Sequence, residues 1–269
     1  MSQTGQSASN AAAEVVSAVA KHRIAVLSGK GGVGKTSLAV NLATCLAATQ
    51  ARVGLLDADI TGPNVAHMLG VRKPPRVVDG QFVPQLAHGV HVVSIASLVP
   101  PEAAVIWRGP LRSRAVSQLL EETAWGPLEY LVIDLPPGTG DEVLTVGQRV
   151  KPQVAVVVTT PQQVAMGDAR RAIDMARKMD VPWIGLVENM SGITCPHCGE
   201  PIALFGAGTT AAEARRLGVH DLGAVPLDPL VARSSDAGTP LVVSHPGNPA
   251  AVALRSIAEL VAEYRLEPA

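Results

Sequence analysis

The strongest chemical signal in the chain is a glycine-rich run that ends in a lysine and a threonine. Its members are Gly29, Lys30, Gly31, Gly32, Val33, Gly34, Lys35 and Thr36. They satisfy the pattern G-x-x-x-x-G-K-[ST] between a strand-like and a helical segment. Glycines let successive backbone N–H groups turn inward around phosphates at the positive end of a helix. Lys35 would pair with the β- and γ-phosphates and the Thr36 hydroxyl would bind Mg²⁺, so the run predicts a nucleoside triphosphate site.

The same residues allow a second interpretation. Gly29, Gly31 and Gly34 also fit G-x-G-x-x-G, the fingerprint of dinucleotide-binding domains, and Asp57 stands where such a domain places its ribose-binding acid. A dinucleotide site has no role for the adjacent Lys35 and Thr36, whereas a triphosphate site requires both. The sequence therefore favours a triphosphate over a nicotinamide or flavin cofactor.

Acidic residues follow two apolar, strand-like runs. Asp57 and Asp59 end the second run, and Asp134 ends the run that begins near residue 130. Ligands bind at the carboxyl ends of strands in open α/β sheets, beside the phosphate loop. We expect Asp134 to hold Mg²⁺ through water, and a second acid to orient an attacking water molecule.

The three cysteines fall into two groups. Cys45 shares helical spacing with Leu38 and Leu42, which predicts a packing role. Cys195 and Cys198 form a C-x-x-C pair in a segment containing proline and glycine, where a helix is not expected. The pair could be a redox couple, half of a zinc site or a chance pairing. A zinc or iron–sulfur site usually takes four protein ligands, and a two-fold symmetric dimer would supply two cysteines from each chain.

Short apolar runs alternate with stretches of helical length along the body of the chain. The strand-like runs are Ile24–Leu27, Val53–Leu56, Tyr130–Ile133, Val154–Val158, Trp183–Val187 and, more weakly, Leu222–Val225. The helical stretches are Lys35–Ala48, Pro110–Ala124, Asp141–Val150 and Gln162–Met179. Nearly continuous apolar strands are typical of parallel sheets covered on both faces. The alternation therefore predicts an α/β fold with a doubly wound, mainly parallel sheet.

Two further segments complete the expected organisation. Asp79 and Gly80 lie between apolar pairs, which predicts a small β-hairpin insertion. Residues 1–20 are rich in Ser, Gln, Asn and Ala, and we interpret them as a flexible leader before a single domain over residues 21–269.

Composition excludes several classes of function. The 269 residues carry 22 Lys+Arg against 23 Asp+Glu, and aromatic residues make up only 3%. Near-neutral charge and few aromatics argue against a nucleic-acid partner. A membrane partner is not expected either, because the chain lacks a run of about 18 apolar residues. Few cysteines and the absence of a signal-like segment favour a cytoplasmic protein with reduced thiols.

The lysine at position 30 gives the run the form K-G-G-V-G-K-T. This form resembles the deviant-Walker ATPases of the MinD, ParA and nitrogenase-reductase group. More of the chain resembles a narrower branch, the Mrp/ApbC-type iron–sulfur cluster carrier ATPases. The segments that carry this resemblance are Asp57–Asn64, Trp107–Pro110, Asp134–Asp141, Thr160–Gln162, Glu188–Ser191 and Cys195–Cys198.

For the nucleotide, the resemblance implies ATP bound by residues Gly29 to Thr36, with Asp57 and Asp134 in the Mg²⁺ shell. It implies that Asp59 positions the hydrolytic water and that Asn189 reads the edge of the adenine. Lys30 is implied to reach across a homodimer to the partner's phosphates. Hydrolysis by such a protein is expected to be slow.

For the cysteines, the resemblance implies a cluster of the 4Fe-4S type, with zinc as a possible substitute, on Cys195 and Cys198 of both subunits. Apo iron–sulfur proteins would receive the cluster. The main alternative is a positioning ATPase of the MinD/ParA kind. Residues 248–269 carry two Arg against three Glu, which argues against the basic membrane-targeting tail that such proteins use.

Overall fold

A computed structural model describes residues 19–60, 62–95, 109–195, 197–206, 208 and 210–264. Several sequence expectations fall outside this range. They concern most of the leader (residues 1–18), Thr61, Trp107, Arg108 and Pro196.

The described residues form twelve strands and nine helices. The strands are β1 (Ala20–Leu27), β2 (Val53–Asp57), β3 (Arg76–Val78), β4 (Gln81–Val83), β5 (Gln85–Ala87), β6 (Val90–Ser94), β7 (Leu128–Asp134), β8 (Val154–Thr159), β9 (Trp183–Asn189), β10 (Ile193–Thr194), β11 (Pro201–Ile202) and β12 (His220–Val225). The helices are α1 (Lys35–Ala48), α2 (Val65–Met68), α3 (Gly109–Glu121), α4 (Asp141–Val150), α5 (Gln163–Lys178), α6 (Thr210–Leu217), α7 (Pro229–Ala237), α8 (Leu241–Ser244) and α9 (Pro249–Glu263).

Eight strands form one sheet in the order β12-β9-β8-β1-β7-β2-β6-β5. Neighbouring strands are parallel except β5, which pairs antiparallel with β6 at one edge. From β1 the chain first builds the side that carries β2 and β6, and later builds the side that carries β8 and β9. The loop after β1 therefore lies where the winding direction changes, which is where open α/β sheets bind ligands.

Both faces of the sheet are covered by helices. Every residue of β2 and of β8 is buried. One apolar core includes buried residues of α3, α4, α5 and α6, and the other includes buried residues of α1, α2, α8 and α9. The expected doubly wound α/β fold, with its mainly parallel sheet, is confirmed.

The expected hairpin is also present, as the antiparallel pair β3 and β4. Asp79 and Gly80 both have positive φ, 51° and 78°, as a two-residue hairpin turn of the primed type requires. The outer edge of β4 is attached to the domain because the N–H of Phe82 donates to the Glu122 carbonyl and the Phe82 carbonyl accepts from Ala124, at 2.8 and 2.9 Å.

The sheet has two more strands than the sequence indicated. The parallel strand β6 escapes notice because His91 interrupts its short apolar run, and β5 is a three-residue edge strand. Within the described part of the chain, none of the helices combines the length and the apolar character that crossing a bilayer requires.

Candidate nucleotide and cysteine sites

The glycine-rich run forms an open loop between β1 and the first turn of α1. An added Cβ would meet no atom within 4 Å at Gly31 or Gly32, so this part of the loop leaves space beside its backbone. Gly29 is different, because a Cβ there would lie 2.1 Å from the Asp168 carbonyl oxygen. Gly34 precedes α1 with φ of 89°, which favours glycine. The loop has the shape of a cradle for phosphates at a helix N-terminus.

Lys35 connects the loop to the acidic residues at the strand ends. Its Nζ lies 2.7 Å from Asp134 Oδ1 and 3.4 Å from Asp59 Oδ2. The Thr36 hydroxyl donates to the other oxygen of Asp134 at 2.7 Å. Lys35 is only 6% exposed and Asp134 is fully buried, and burial raises the pKa of Asp134 while Lys35 opposes that rise. The structure thus brings together Lys35, Thr36, Asp59 and Asp134, four residues that the sequence singled out.

Asp57 lies beside this cluster, because β2 and β7 place Asp57 and Asp134 at paired positions. Its carboxylate oxygens accept from the backbone of Asp59 at 3.2 Å, from the backbone of Val65 at 3.3 Å and from the Ser94 hydroxyl at 2.9 Å. Burial, and secondly the charge of Asp134, raises the pKa of Asp57 to about 8. The pKa of Asp57 is therefore held well above that of an ordinary aspartate.

Ser94 is a site residue that the sequence analysis missed. It is the last residue of β6, so the parallel pairing of β2 and β6 sets it opposite Asp57. Recognising β6 as a strand would have revealed a hydroxyl at the same edge of the sheet.

Asn189 contacts the loop from the end of β9, whereas Lys30 is one of the loop's own residues. The Asn189 side-chain amide, at the end of β9, donates to the Val33 carbonyl at 2.8 Å and packs directly over the α-carbon of Gly34. The Lys30 carbonyl accepts from the Ser28 hydroxyl at 2.9 Å, and the Lys30 side chain is half-buried. Among the described residues, the Lys30 ammonium has no acidic partner.

Cys195 and Cys198 lie at the turn of a small hairpin formed by β10 and β11. The Cys195 N–H donates to the Glu200 carbonyl at 2.8 Å, and the Gly199 N–H donates to the Cys195 carbonyl at 2.9 Å. Backbone N–H groups of Cys198 and His197 donate to the Cys195 sulfur and lower the pKa of its thiol. Cys195 is half-buried and Cys198 is exposed. N–H groups pointing at a sulfur stabilise a thiolate, the form that binds metal.

The two cysteines do not form a complete metal site within one chain. Among the described residues, no group of three or more His, Cys, Asp or Glu side chains is arranged to hold a metal ion. Any four-ligand site at this turn needs donors from elsewhere.

Cys45 is less enclosed than its helical spacing predicts. It is half-buried against the core beneath α1 and α9 and lines a surface cavity of about 280 Å³. Burial raises the pKa of its thiol to about 11, so Cys45 remains a neutral thiol. The packing role expected for it is therefore only partly fulfilled.

Comparison with models of known protein families identifies the family of this chain. The model of the ParA family described as NUBPL iron-transfer P-loop NTPase matches residues 19–262. The chain belongs to this family.

Its similarity to individual family members is high along most of its length. An iron-sulfur cluster carrier protein from Pyrococcus horikoshii is 47% identical over 251 residues, which cover 89% of this chain and 85% of that protein. A protein of the same name from Deinococcus radiodurans is 51% identical over 247 residues, which cover 90% and 69% of the two chains.

Solved structures agree with the fold. A nucleotide-binding protein from Archaeoglobus fulgidus, in complex with ADP, superposes with a TM-score of 0.75 at 38% identity, covering 86% of this chain and 91% of that one. The cell division ATPase MinD from Pyrococcus furiosus superposes with a TM-score of 0.68 at 22% identity, covering 90% and 99%. The second similarity concerns the fold alone.

The raised pKa of Asp57 predicts a pH-dependent stability in the nucleotide-free protein. An ordinary aspartate titrates near pH 4, so between about pH 4 and pH 8 the folded state binds more protons than the unfolded state. The free energy of unfolding should therefore fall as pH rises through this window. Asp57→Asn should make that fall shallower, as measured by thermal unfolding from pH 5 to pH 9.

The exposed Asp221 provides a matched control, and Asp221→Asn should keep the wild-type dependence on pH. A wild-type slope in Asp57→Asn would show that Asp57 is ionised in the folded protein.

Proposed function

We propose that the protein is an ATP-dependent iron–sulfur cluster carrier, which binds a cluster as cargo and passes it to apoproteins. The main support for this proposal is that one domain contains two sites. The first is a phosphate loop whose Lys35 lies among carboxylates at the strand ends. The second is a turn whose backbone N–H groups donate to the Cys195 sulfur. Membership of an iron-transfer family and relatives named as carriers support the same conclusion.

ATP would be bound by Gly29, Lys30, Gly31, Gly32, Val33, Gly34, Lys35 and Thr36. The open space at Gly31 and Gly32 fits phosphates, because backbone N–H groups can approach them without interference from side chains. In this structure the Lys35 ammonium is paired with the carboxylates of Asp134 and Asp59. We infer that phosphate oxygens replace these carboxylates as the partners of Lys35.

The donor set beside the loop also fits Mg²⁺, a cation that prefers oxygen ligands. Mg²⁺ would supply positive charge that neutralises the phosphates. The Thr36 hydroxyl and the carboxylate of Asp134, with Asp57 next to it, would hold it directly or through water. For Asp57 to contribute a negative charge, it must first lose the proton that burial favours.

Three further residues take separate roles in this proposal. Asp59 orients the attacking water once Lys35 has moved to the phosphates. Lys30 reaches the phosphates of a second copy in a homodimer. Asn189, already in contact with the loop through Val33, reads the adenine edge.

The cluster, of the 4Fe-4S type, is bound between two copies of the chain by Cys195 and Cys198 of each. One chain supplies two thiolates at the hairpin turn, and such a cluster normally takes about four. A two-fold axis beside the turn supplies the missing pair. The same four thiolates also suit tetrahedral zinc, which anaerobic reconstitution with iron and sulfide would distinguish from a cluster by absorbance and metal content.

The nucleotide roles predict different outcomes for Lys35→Ala and Asp59→Ala. Lys35→Ala should lose ATP affinity by about 30-fold or more, because the phosphates lose a buried, hydrogen-bonded cation. Asp59→Ala should bind ATP and fail to hydrolyse it, because its proposed role is to orient water. Calorimetry and phosphate release measure the two effects. Unchanged affinity in Lys35→Ala, or wild-type turnover in Asp59→Ala, would contradict the assignment concerned.

The proposed action of Lys30 across the dimer can be tested by mixing variants. Lys30→Ala should bind ATP yet lose most hydrolysis, whereas Lys35→Ala should bind ATP much more weakly but can still donate Lys30 to its partner. A mixture of the two should recover part of the hydrolysis that each variant lacks alone. Absence of recovery in heterodimers that demonstrably form would indicate that Lys30 acts within its own chain.

The shared cluster predicts a stoichiometry and a pattern of loss. Reconstituted wild-type protein should hold about four irons per dimer. Cys195→Ala or Cys198→Ala should each remove two of the four ligands, because symmetry doubles every change, and should lose the cluster while keeping ATP binding. Cys45→Ala is the matched control and should keep both functions. A cluster that persists in Cys195→Ala, or four irons on a monomer, would contradict the shared site.

A further inference from the structure

The segment that carries the cysteines, residues 190–209, begins at the end of β9 and comes back to the end of β9 where α6 starts. It leaves after Asn189, the last residue of β9. It returns at Thr210, the first residue of α6, whose hydroxyl donates to a carboxylate oxygen of Glu188. Glu188 is 5% exposed and Thr210 is 2% exposed, so this hydrogen bond is buried. Glu188 and Asn189 are consecutive, so one peptide group joins the two points of attachment.

The outgoing half of the segment is hydrogen-bonded along its length. The Ser191 N–H donates to the Val225 carbonyl at 3.1 Å, and the Gly192 carbonyl accepts from Leu227 at 2.7 Å. A Cβ at Gly192 would lie 3.0 Å from the Ile202 carbonyl oxygen, so the two strands of the cysteine hairpin approach closely at its base. Only five residues lie between Asn189 and Cys195, and these hydrogen bonds and the close approach at Gly192 restrict how their backbone can move.

The returning half is held against Glu188. A Cβ on Gly208 would lie 2.5 Å from Glu188 Oε1, so the backbone packs directly on the carboxylate. Three residues beyond Thr210, Glu213 pairs with Arg170 of α5 at 2.5 Å and with Arg216. The start of α6 is therefore fixed both to the end of β9 and to α5.

The end of β9 also contacts the phosphate loop, through Asn189. Neighbouring side chains of a strand point to opposite faces, and Asn189 uses its face to donate to the Val33 carbonyl and to cover Gly34. A shift of the Val33 carbonyl on phosphate binding would act on this hydrogen bond, so Asn189 would follow the carbonyl or release it. Either movement of Asn189 would act on the peptide group that joins Asn189 to Glu188.

We propose that the Glu188–Thr210 hydrogen bond couples the phosphate loop to the cysteine turn, with Glu188 and Thr210 as positioning residues. This inference rests on the proposed function, because it assumes that nucleotide and metal bind at these two sites. Nucleotide in the loop changes the geometry of Cys195 and Cys198, and by reciprocity metal on the cysteines changes the affinity for nucleotide by the same factor. Without the hydrogen bond, each site binds its own ligand, and in a dimer that has already formed the two ligands no longer affect each other.

The test measures a coupling factor with Co²⁺ as the metal probe. Co²⁺ is titrated under anaerobic conditions into the whole protein, with and without a saturating non-hydrolysable ATP analogue, in excess Mg²⁺. The protein concentration is chosen so that the protein is dimeric in both arms, because dimerisation alone would also link the two sites. The thiolate-to-cobalt absorption reports only the cysteines, so Co²⁺ that replaces Mg²⁺ beside the nucleotide does not contribute. In the wild type the analogue should change the Co²⁺ affinity by about tenfold, a typical coupling between sites.

Thr210→Val removes the hydroxyl at nearly constant volume. Its coupling factor should fall towards one, while the affinity for each ligand alone stays within about threefold of wild type. Thr210→Ser keeps the hydroxyl and should keep the coupling. Arg216→Gln weakens the anchoring of α6 without touching Glu188 or Thr210, and it should also keep the coupling.

If Thr210→Val folds poorly, as judged by its thermal unfolding, Gly208→Ala provides a second test. Its Cβ must displace the Glu188 carboxylate, so the coupling should again fall. The inference is overturned if wild-type protein binds both ligands without coupling, or if coupling persists in folded Thr210→Val or Gly208→Ala. By contrast, absence of the thiolate-to-cobalt absorption, or of nucleotide binding, would overturn the proposed function itself.

Discussion

Compensation of charge around one buried lysine is the interaction on which the phosphate site depends. Lys35 lies within 3.4 Å of both Asp59 and Asp134, and all three side chains are nearly inaccessible to water. Removing the ammonium without replacing it would leave carboxylates buried without a counter-charge, which is strongly unfavourable. Lys35 can turn towards an anion only if a cation or protons take its place beside the acids. A triphosphate that arrives with Mg²⁺ meets this condition, whereas an anion alone does not.

The sheet creates this concentration of charge through its strand order. Three parallel neighbours, β7, β2 and β6, end at the same level, so Asp134, Asp57 and Ser94 stand side by side. Two adjacent buried carboxyls cannot both be ionised beside a single ammonium without a large cost, and the pKa of Asp57 is raised accordingly. The same topology places the loop after β1 beside β7. The proposed triphosphate site needs both the acids and the loop, and the fold brings the two together.

Much of this arrangement could be predicted from sequence because its signals are local. The glycine-rich run, the acids after apolar strands and the Asp79–Gly80 turn each occupy a few consecutive residues. Contacts between distant residues leave no such pattern. Nothing in the sequence near Thr210 indicates that its hydroxyl meets Glu188, 22 positions earlier. Ser94 was missed because His91 interrupts its strand, and the cavity beside Cys45 depends on how α1 and α9 pack. Pairing of β10 with β11, which aims backbone N–H groups at Cys195, is likewise a tertiary feature.

A turn with two thiols is well suited to cargo that must be released. Four cysteines on one chain would hold a cluster regardless of the subunit interface, because all ligands would move together. Two ligands from each of two chains make retention depend on that interface, since separation of the subunits removes half of the ligands at once. Cys198 is exposed and Cys195 only half-buried, so in the proposed dimer an acceptor protein would reach the sulfurs once the interface opens. The N–H groups that favour the Cys195 thiolate would matter both while the cluster is bound and after it has been released. In the proposed shared site they would favour the thiolate that binds metal, and after release they would keep the sulfur in the form that binds the next cluster.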